Sequence, residues 1–352
     1  MVTLIILILM LGILIFVHEF GHFIVAKKCG VHVDEFALGM GPQIFKWKRK
    51  NDPTVYSLRL LPIGGFCAMA GEVVEEKNKK LKKDQYMCNK KPYQKFLILV
   101  AGVTMNFILA LVLFFFQGLI WGSSEQLSYV GLVTPGAPIE QSGIEVGDRI
   151  VSINNMKTDT WDKIQIAISL KHSSDTYDFV VKKQDGSIKK IKVTPEVKKK
   201  KDGTVESMTF GFGVGETLNH GFLKSIKYAF LKFYSVISSM TIIIFKLITG
   251  KLGLSSLAGP VGMYTVVGQS AKYGFQNILY LTAYLSVNLG FVNIIPFPAF
   301  DGGRILFVLI EKIKGSPVKP EVENIFHTVG FILLMILMLV ITYQDILRLF
   351  VK

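Results

Sequence analysis

The chain has 352 residues, half of them hydrophobic, and a formal net charge of +14. Its positive mean hydropathy of +0.43 places it in the membrane class and excludes an ordinary soluble domain. The basic excess would also suit a nucleic-acid binder, but Lys and Arg collect on the cytoplasmic loops of membrane proteins, so nucleic acid is not expected as a partner.

From Val2 to Ala26 the only ionisable side chains are His18, Glu19 and His22. A run of that length spans a bilayer. A secretory signal peptide would need a basic n-region and a small-residue cleavage site, and the run has neither. Residues 1–27 are therefore expected to form a first transmembrane helix. Ionisable groups inside such a span mark function by default. The stretch "HEFGH" is H-E-x-x-H, which on a helix sets two imidazoles one turn apart on one face, where both can bind one Zn²⁺. The Glu between them can serve as general base towards a water.

Residues 27–95 hold fifteen Lys and Arg, and none precedes the first span. That asymmetry predicts an outside N-terminus and a cytoplasmic loop over residues 28–94. Within it, "VDEFALGMGPQIFKWK" and "TVYSLRLLPIGGFCAM" alternate as strands, with Gly39, Gly41, Gly64 and Gly65 at the bends. A membrane-associated β-hairpin is expected there. A basic cluster follows at Lys77–Lys83. All three cysteines (Cys29, Cys67, Cys88) fall in this loop, where reduced thiols are expected and no disulfide framework is needed.

A second span is expected over residues 95–121, and then an outside segment of soluble character over residues 122–205. From Tyr129 to about Glu196 it resembles a PDZ domain. "GLVTPGAPIEQSGIEVGDRIVSINNMKT" reads as a strand, a turn, a short helix and a second strand with Ile150, Val151 and Ile153. The Lys198–Lys201 run reads as a solvated turn. Residues 206–274 form an outside linker. Its apolar stretch Tyr228–Ile248 is punctuated by Lys232, Ser235, Ser238, Ser239 and Lys246, so an amphipathic helix in the outer interface is expected rather than a crossing. Residues 275–303 then re-enter as a third span. Residues 304–352 hold a cytoplasmic loop, with Arg304, Lys312, Lys314 and Lys319, and a fourth span.

A catalytic zinc uses three protein ligands and a water, so two histidines leave it one short. His32 lies too close in sequence and beyond the span, and His172 and His220 lie in or after the polar domain. His327 opens the last span and is one alternative. Asp301, in "NIIPFPAFDGGRILF", is the other. Pro296 and Pro298 break the helix before it, and Gly302 and Gly303 would let the chain turn behind it. With four spans Asp301 ends at the depth of His18 and His22. Alternatively it simply begins a cytoplasmic loop.

The sequence resembles the bacterial site-2 protease family of intramembrane zinc metalloproteases, in its sigma-factor-pathway branch. The resemblance covers nearly the whole chain. It rests on "HEFGH", on N-x-x-P-x-P-x-x-D-G-G from Asn293 to Gly303, on "GGFCAMAGE" from Gly64 to Glu72, on "AGVTMNF" from Ala101 to Phe107 and on "AGPVGMY" from Ala258 to Tyr264. Phe300 stands where the family usually has Leu, and Val103 where it usually has Pro. The resemblance implies peptide-bond hydrolysis within the bilayer, with Zn²⁺ on His18, His22 and Asp301 and Glu19 as base. It implies that Asn293 contacts the substrate backbone or the developing oxyanion. The expected fold is a polytopic α-helical membrane protein with four transmembrane helices, the cytoplasmic β-hairpin loop and one extracytoplasmic PDZ-like domain. The expected place is the bacterial inner (cytoplasmic) membrane, surrounded by lipid. The expected substrates are single-pass membrane proteins, either anti-sigma factors already cut outside or remnant signal peptides. Two other classes compete. A transporter or ion-binding protein would also carry intramembrane carboxylates and broken helices, but no internal repeat is visible and H-E-x-x-H has no obvious role there. A non-catalytic PDZ scaffold would be expected to lose Glu19 or a ligand.

Overall fold

The computed structural model describes residues 2–72, 81–122, 128–169, 176–199, 205–214, 220–250, 252–253, 257–316 and 318–350. Most of the Lys77–Lys83 cluster, His172, Lys200 and Lys201 lie outside the described residues. The chain divides into two compact units, one of Met1–Leu113 with Gly253–Lys352 and one of Phe114–Leu252.

The first unit begins with helix α1 (Val2–Lys28). Its buried residues are Leu7, Met10, Leu14, His18, Gly21, His22 and Ala26, a stripe at three- and four-residue spacing that faces the protein. Ile5, Leu9 and Ile13 are exposed on the opposite side, as suits a face turned to lipid. The histidines belong to the inward stripe.

Strands β1 (Val33–Lys48) and β2 (Val55–Met69) form an antiparallel ladder with repeated register shifts. Phe36 pairs with both Cys67 and Tyr56, while Trp47 pairs with Tyr56 again. Each strand therefore bends back on its partner, and the first half of β1 is flanked on both sides by β2. The inner end of the hairpin is buried through Val33, Phe36, Cys67 and Met69 against Ala26 of α1, Ile98 and Leu99 of α2 (Pro92–Trp121), and Ile305 and Val308 of the later helix α8 (Asp301–Lys314). The outer end exposes Met40, Ile44, Phe45, Trp47, Leu60 and Leu61, apolar surface consistent with a place against the membrane.

The unit continues with α6 (Pro260–Lys272), α7 (Phe275–Ile294) and α9 (Pro320–Phe350). α7 stops at Ile294 because Pro296 and Pro298 cannot donate to a continuing ladder. Asp301 opens α8, a helix with Gly302, Gly303, Ile305, Phe307 and Val308 buried. The helix α8 stands where the sequence reading put a loop after residue 303. Gly302 and Gly303 likewise differ from expectation, since they lie in the first turn of α8 rather than in a tight turn. A Cβ on Gly302 would lie 2.1 Å from the Ile295 carbonyl oxygen, so close approach, not a left-handed conformation, requires glycine. The left-handed residue of the segment is Ala299, with φ of +74°.

In the second unit, β4 (Arg149–Ile153), β5 (Met156–Lys157), β6 (Tyr177–Lys182) and β7 (Ile188–Val193) form an antiparallel sheet in the order β5-β4-β6-β7. Tyr177, Phe179 and Val181 alternate inward along β6. In β4 the register slips between Ile150 and Ser152, a bulge that lets Ile150 and Ile153 both face the core although three residues apart. Helices α3 (Pro138–Gln141) and α4 (Trp161–Ser169) supply Ile139 and Ile164 to the same core. The short strand β3 (Leu132–Val133) pairs with β10 (Phe212–Gly213), which follows the hairpin of β8 (Glu196–Lys199) and β9 (Val205–Thr209). The module therefore closes at Gly213, beyond the residue 205 expected from the sequence.

Helix α5 (Phe222–Ile248) ends this unit. Among the described residues five helices, namely α1, α2, α5, α7 and α9, are long and apolar enough to cross a membrane by length and composition. The chain is a multi-pass membrane protein by this measure, with α5 as the one helix beyond the four expected spans.

Candidate active site

His18 and His22 sit one turn apart on α1, 7% and 6% exposed. Their Nε2 atoms are 3.1 Å from each other, with the rings nearly perpendicular at 84°. α2 passes over them without a side chain at the crossing. A Cβ on Gly102 would stand 2.4 Å from His22 Nε2 and 2.8 Å from His18 Cε1. Only glycine fits.

The second nitrogen of each ring sets its orientation. His22 Nδ1 lies 2.8 Å from the Ile98 carbonyl oxygen, which only accepts, so Nδ1 carries the proton and Nε2 presents a lone pair. His18 Nδ1 lies 3.2 Å from the side-chain amide of the buried Asn106. With the amide nitrogen towards the ring, Asn106 Oδ1 is buried without a partner among the described residues. Turning the amide over lets Oδ1 accept from His18 Nδ1–H and leaves His18 Nε2 as a lone pair too, the arrangement metal-binding imidazoles use.

Asp301 completes the group. Its Oδ2 is 3.0 Å from His18 Nε2 and 3.4 Å from His22 Nε2. The same oxygen is buried and has no hydrogen-bond partner among the described residues. The two observations agree once both imidazoles face it with lone pairs instead of N–H groups. Three electron-pair donors converging in this way are the arrangement a bound cation requires. Tetrahedral Zn²⁺ with bonds of about 2.0–2.1 Å separates its ligand atoms by roughly 3.3 Å, close to the spacings found. Among the described residues this is the one cluster of His, Cys, Asp and Glu so placed. Two imidazoles and a carboxylate fit zinc.

α8, which carries Asp301, is tied down by two ion pairs. Arg304 meets Glu72, three residues past β2, and Lys95 of α2 meets Glu311 at 2.8 Å. Glu19 follows His18 on α1, and its Oε2 accepts a hydrogen bond from the Cys67 backbone N–H at 3.1 Å. A cavity of about 580 Å³ is lined by Glu19, His22, Asp301, Arg304, His327 and the Phe66–Met69 edge of β2. Burial, and next the adjacent Glu19 carboxylate, push the Cys67 thiol above its ordinary range.

His18, Glu19, His22 and Asp301 are thus brought together. Asn293 lies half-buried near the end of α7 and is not among the residues that line the cavity. His32 lies 3.2 Å from Asp34 beyond α1, and His220 belongs to the second unit. His327 faces the cavity but is not part of the ligand cluster.

The chain matches the model of peptidase family M50 over residues 6–337. It belongs to that family. It is 33% identical to the zinc metalloprotease RasP of Oceanobacillus iheyensis, over 99% of this chain and 100% of that one. It is 34% identical to the regulator of sigma-W protease RasP of Bacillus subtilis, over 99% of each. A putative zinc metalloprotease of Clostridium acetobutylicum is 35% identical over 98% of this chain and 97% of its own. The chain is therefore a zinc metalloprotease of the site-2 type, and Zn²⁺ is its cofactor. The expectations of a transporter and of a non-catalytic scaffold are set aside by this membership.

Sequence reasoning did not single out Gly102, Asn106, the Ile98 carbonyl, the Cys67 N–H, or the Glu72–Arg304 pair. A signal existed for some. "AGVTMNF" contains Gly102 and Asn106, and "GGFCAMAGE" contains Cys67 and Glu72. The Ile98 and Cys67 contacts are made by backbone atoms, which leave no mark in side-chain identity.

Proposed function

We propose that His18, His22 and Asp301 hold the zinc of this protease and that Glu19 is its general base. The observation that carries the reading is the convergence of three lone-pair donors at 3.0–3.4 Å beside a carboxylate on the same cavity. Zinc held there supplies a Lewis acid that acidifies water and polarises the scissile carbonyl. Glu19 takes the proton of the attacking water and returns it to the leaving amine. The Cys67 N–H keeps the Glu19 carboxylate turned towards the cavity. Asn293 contacts the substrate backbone or the developing oxyanion, a role that the family pattern around it supports.

A transmembrane helix hides its peptide bonds in its own hydrogen-bonded turns, so it must unwind before cleavage. The Phe66–Met69 edge of β2, which lines the cavity, offers backbone groups to the freed strand and holds it extended by β-addition.

We infer four spans, α1, α2, α7 and α9, with α5 lying in the outer interface. The buried face of α5 carries its central polar residues together with Tyr228, Ala229 and Val236. Ser225, Lys232, Ser235 and Ser239 are inside, while Phe222, Leu223, Phe230, Phe245 and Ile248 are exposed. Lys232 Nζ meets both Asp162 oxygens at 2.8 and 2.9 Å, and Ser235 Oγ donates to Asp162 at 2.7 Å. A helix whose middle is bonded to a globular module cannot place that middle at the bilayer centre. Its apolar face suits the headgroup region instead. The basic residues of 27–95 then lie in the cytoplasm and the module lies outside the bacterial inner membrane. The strand, helix and strand succession of β3, α3 and β4 supports a PDZ domain, which admits only substrates whose outer part has been removed.

The Bacillus subtilis relative is named a regulator of sigma-W protease. By that likeness the substrates are single-pass membrane proteins, anti-sigma factors after an outside cut, or remnant signal peptides. The test is Glu19→Gln, assayed on a model transmembrane segment together with metal content. Zinc retained with turnover down about 10²–10⁴-fold is expected. Normal turnover with zinc present would remove Glu19 from the mechanism.

A further inference from the structure

His327 lines the active-site cavity on α9, the helix that follows the Asp301 segment. Its Nδ1 accepts the Ala299 backbone N–H at 3.1 Å. An imidazole nitrogen that accepts carries no proton, so in the neutral ring the proton sits on Nε2 and makes it a donor. That Nε2 is buried and has no hydrogen-bond partner among the described residues. A buried, unused donor carries a desolvation penalty that an arriving acceptor relieves.

The ring is also fixed in place. Phe326 meets it edge-on at 5.6 Å and Phe307 lies at 6.0 Å. One turn further along α9, Gly330 packs so closely on Pro298 that a Cβ there would be 1.8 Å from the proline Cβ. α9 is thereby pinned to the segment that delivers Asp301, and Ala299, which orients the ring, stands two residues before that carboxylate. A rigid donor held on the scaffold of a zinc ligand is the preorganised kind that stabilises developing charge.

We propose that His327 is a further catalytic residue of this protease, its Nε2–H donating to the oxygen of the scissile carbonyl as that oxygen becomes negative. This rests on the zinc-protease reading above. The water oxygen bonds to the carbonyl carbon, the π pair moves onto the carbonyl oxygen, and Glu19 takes the water's proton. The C–N bond then breaks and the same proton goes to the leaving nitrogen. His327 keeps its own proton throughout and only donates a hydrogen bond.

Two substitutions separate this role from a structural one. His327→Asn keeps an acceptor near the Nδ1 position for Ala299 N–H and removes the donor from the Nε2 position. His327→Gln places an amide N–H near the Nε2 position and gives up the Ala299 bond. Cleavage of a model transmembrane peptide by the full chain is measured with zinc content. Binding of the same peptide, uncleaved, is measured in the Glu19→Gln background as a readout independent of turnover. The expected result for Asn is kcat down about 10²–10³-fold, KM within twofold, one zinc per chain and unchanged binding of uncleaved peptide. Gln is expected to recover at least tenfold of that loss. An active Asn variant with an inactive Gln variant would make His327 structural. Equal loss in both, a change confined to KM, or loss of zinc would each overturn the assignment. Normal turnover in Glu19→Gln itself would instead overturn the underlying zinc-protease chemistry, so the two failures are told apart.

Discussion

Gly102→Ala tests whether the crossing of α1 and α2 builds the metal site. The added methyl would stand 2.4 Å from His22 Nε2 and 2.7 Å from its Cε1, about 1 Å inside ordinary contact. Something must move by that amount, and the nearest group is the ring whose nitrogen faces Asp301. Zinc–ligand distances tolerate only about 0.2 Å. Overpacking a tight site costs about 1–3 kcal/mol, and if it falls on metal binding, zinc affinity drops roughly 5- to 150-fold. Competition with a chelator in detergent, using the full chain, reads that number directly. Thr104→Ala, on an exposed position of the same helix, serves as the control and should bind zinc normally. An affinity within twofold of the parent in a folded Gly102→Ala protein would refute the claim that this close crossing positions His22.

Three further outcomes follow from other parts of the molecule. Asp162→Ala removes both carboxylate contacts from the buried Lys232 and should destabilise the second unit by about 3–5 kcal/mol, seen as faster amide exchange along α5. Asp162→Ala with Lys232→Met should recover most of it, and no recovery would count against the pairing. For Asp52, burial raises the carboxyl pKa, but hydrogen bonds from Lys27, Thr54 and Tyr56 outweigh it and hold the group below its ordinary range. A lowered folded pKa contributes stability above the unfolded value of about 3.9 and loses it as pH falls below that. Asp52→Asn should therefore loosen the β1–β2 hairpin at pH 7 and make progressively less difference below pH about 4, checked by amide exchange at both pH values. For topology, the exposed Cys88 should resist an impermeant thiol reagent in intact cells, whereas a cysteine placed at Asp185 should react. The reverse pattern would invert the proposed orientation.

Much of the site was legible because its chemistry sits in side chains with strong local constraints. Two histidines and a glutamate in an apolar span, and an aspartate behind two prolines, conflict with their surroundings unless they do something. What remained illegible is made of backbone and shape. Gly302 looks like a turn residue in the sequence, yet it serves a close approach to the Ile295 carbonyl, and the left-handed position belongs to Ala299. α8 reads as a loop in the sequence, because its short apolar face follows a Pro- and Gly-rich stretch. β10 closes the module of the second unit from a position past the residues that resemble its fold, a non-local pairing that no window of sequence reveals. The inverted amphipathicity of α5 was visible as scattered Lys and Ser, but only Asp162 shows what Lys232 faces.

The most direct test of the central claim is the zinc content of the purified full chain and of two variants, by elemental analysis. The geometry of His18, His22 and Asp301 predicts about one zinc per parent chain, since three protein ligands leave one position for water. His22→Ala and Asp301→Ala should each lose most of it. Full zinc retention in Asp301→Ala would contradict the assignment, because a carboxylate whose removal leaves the metal in place does not hold it.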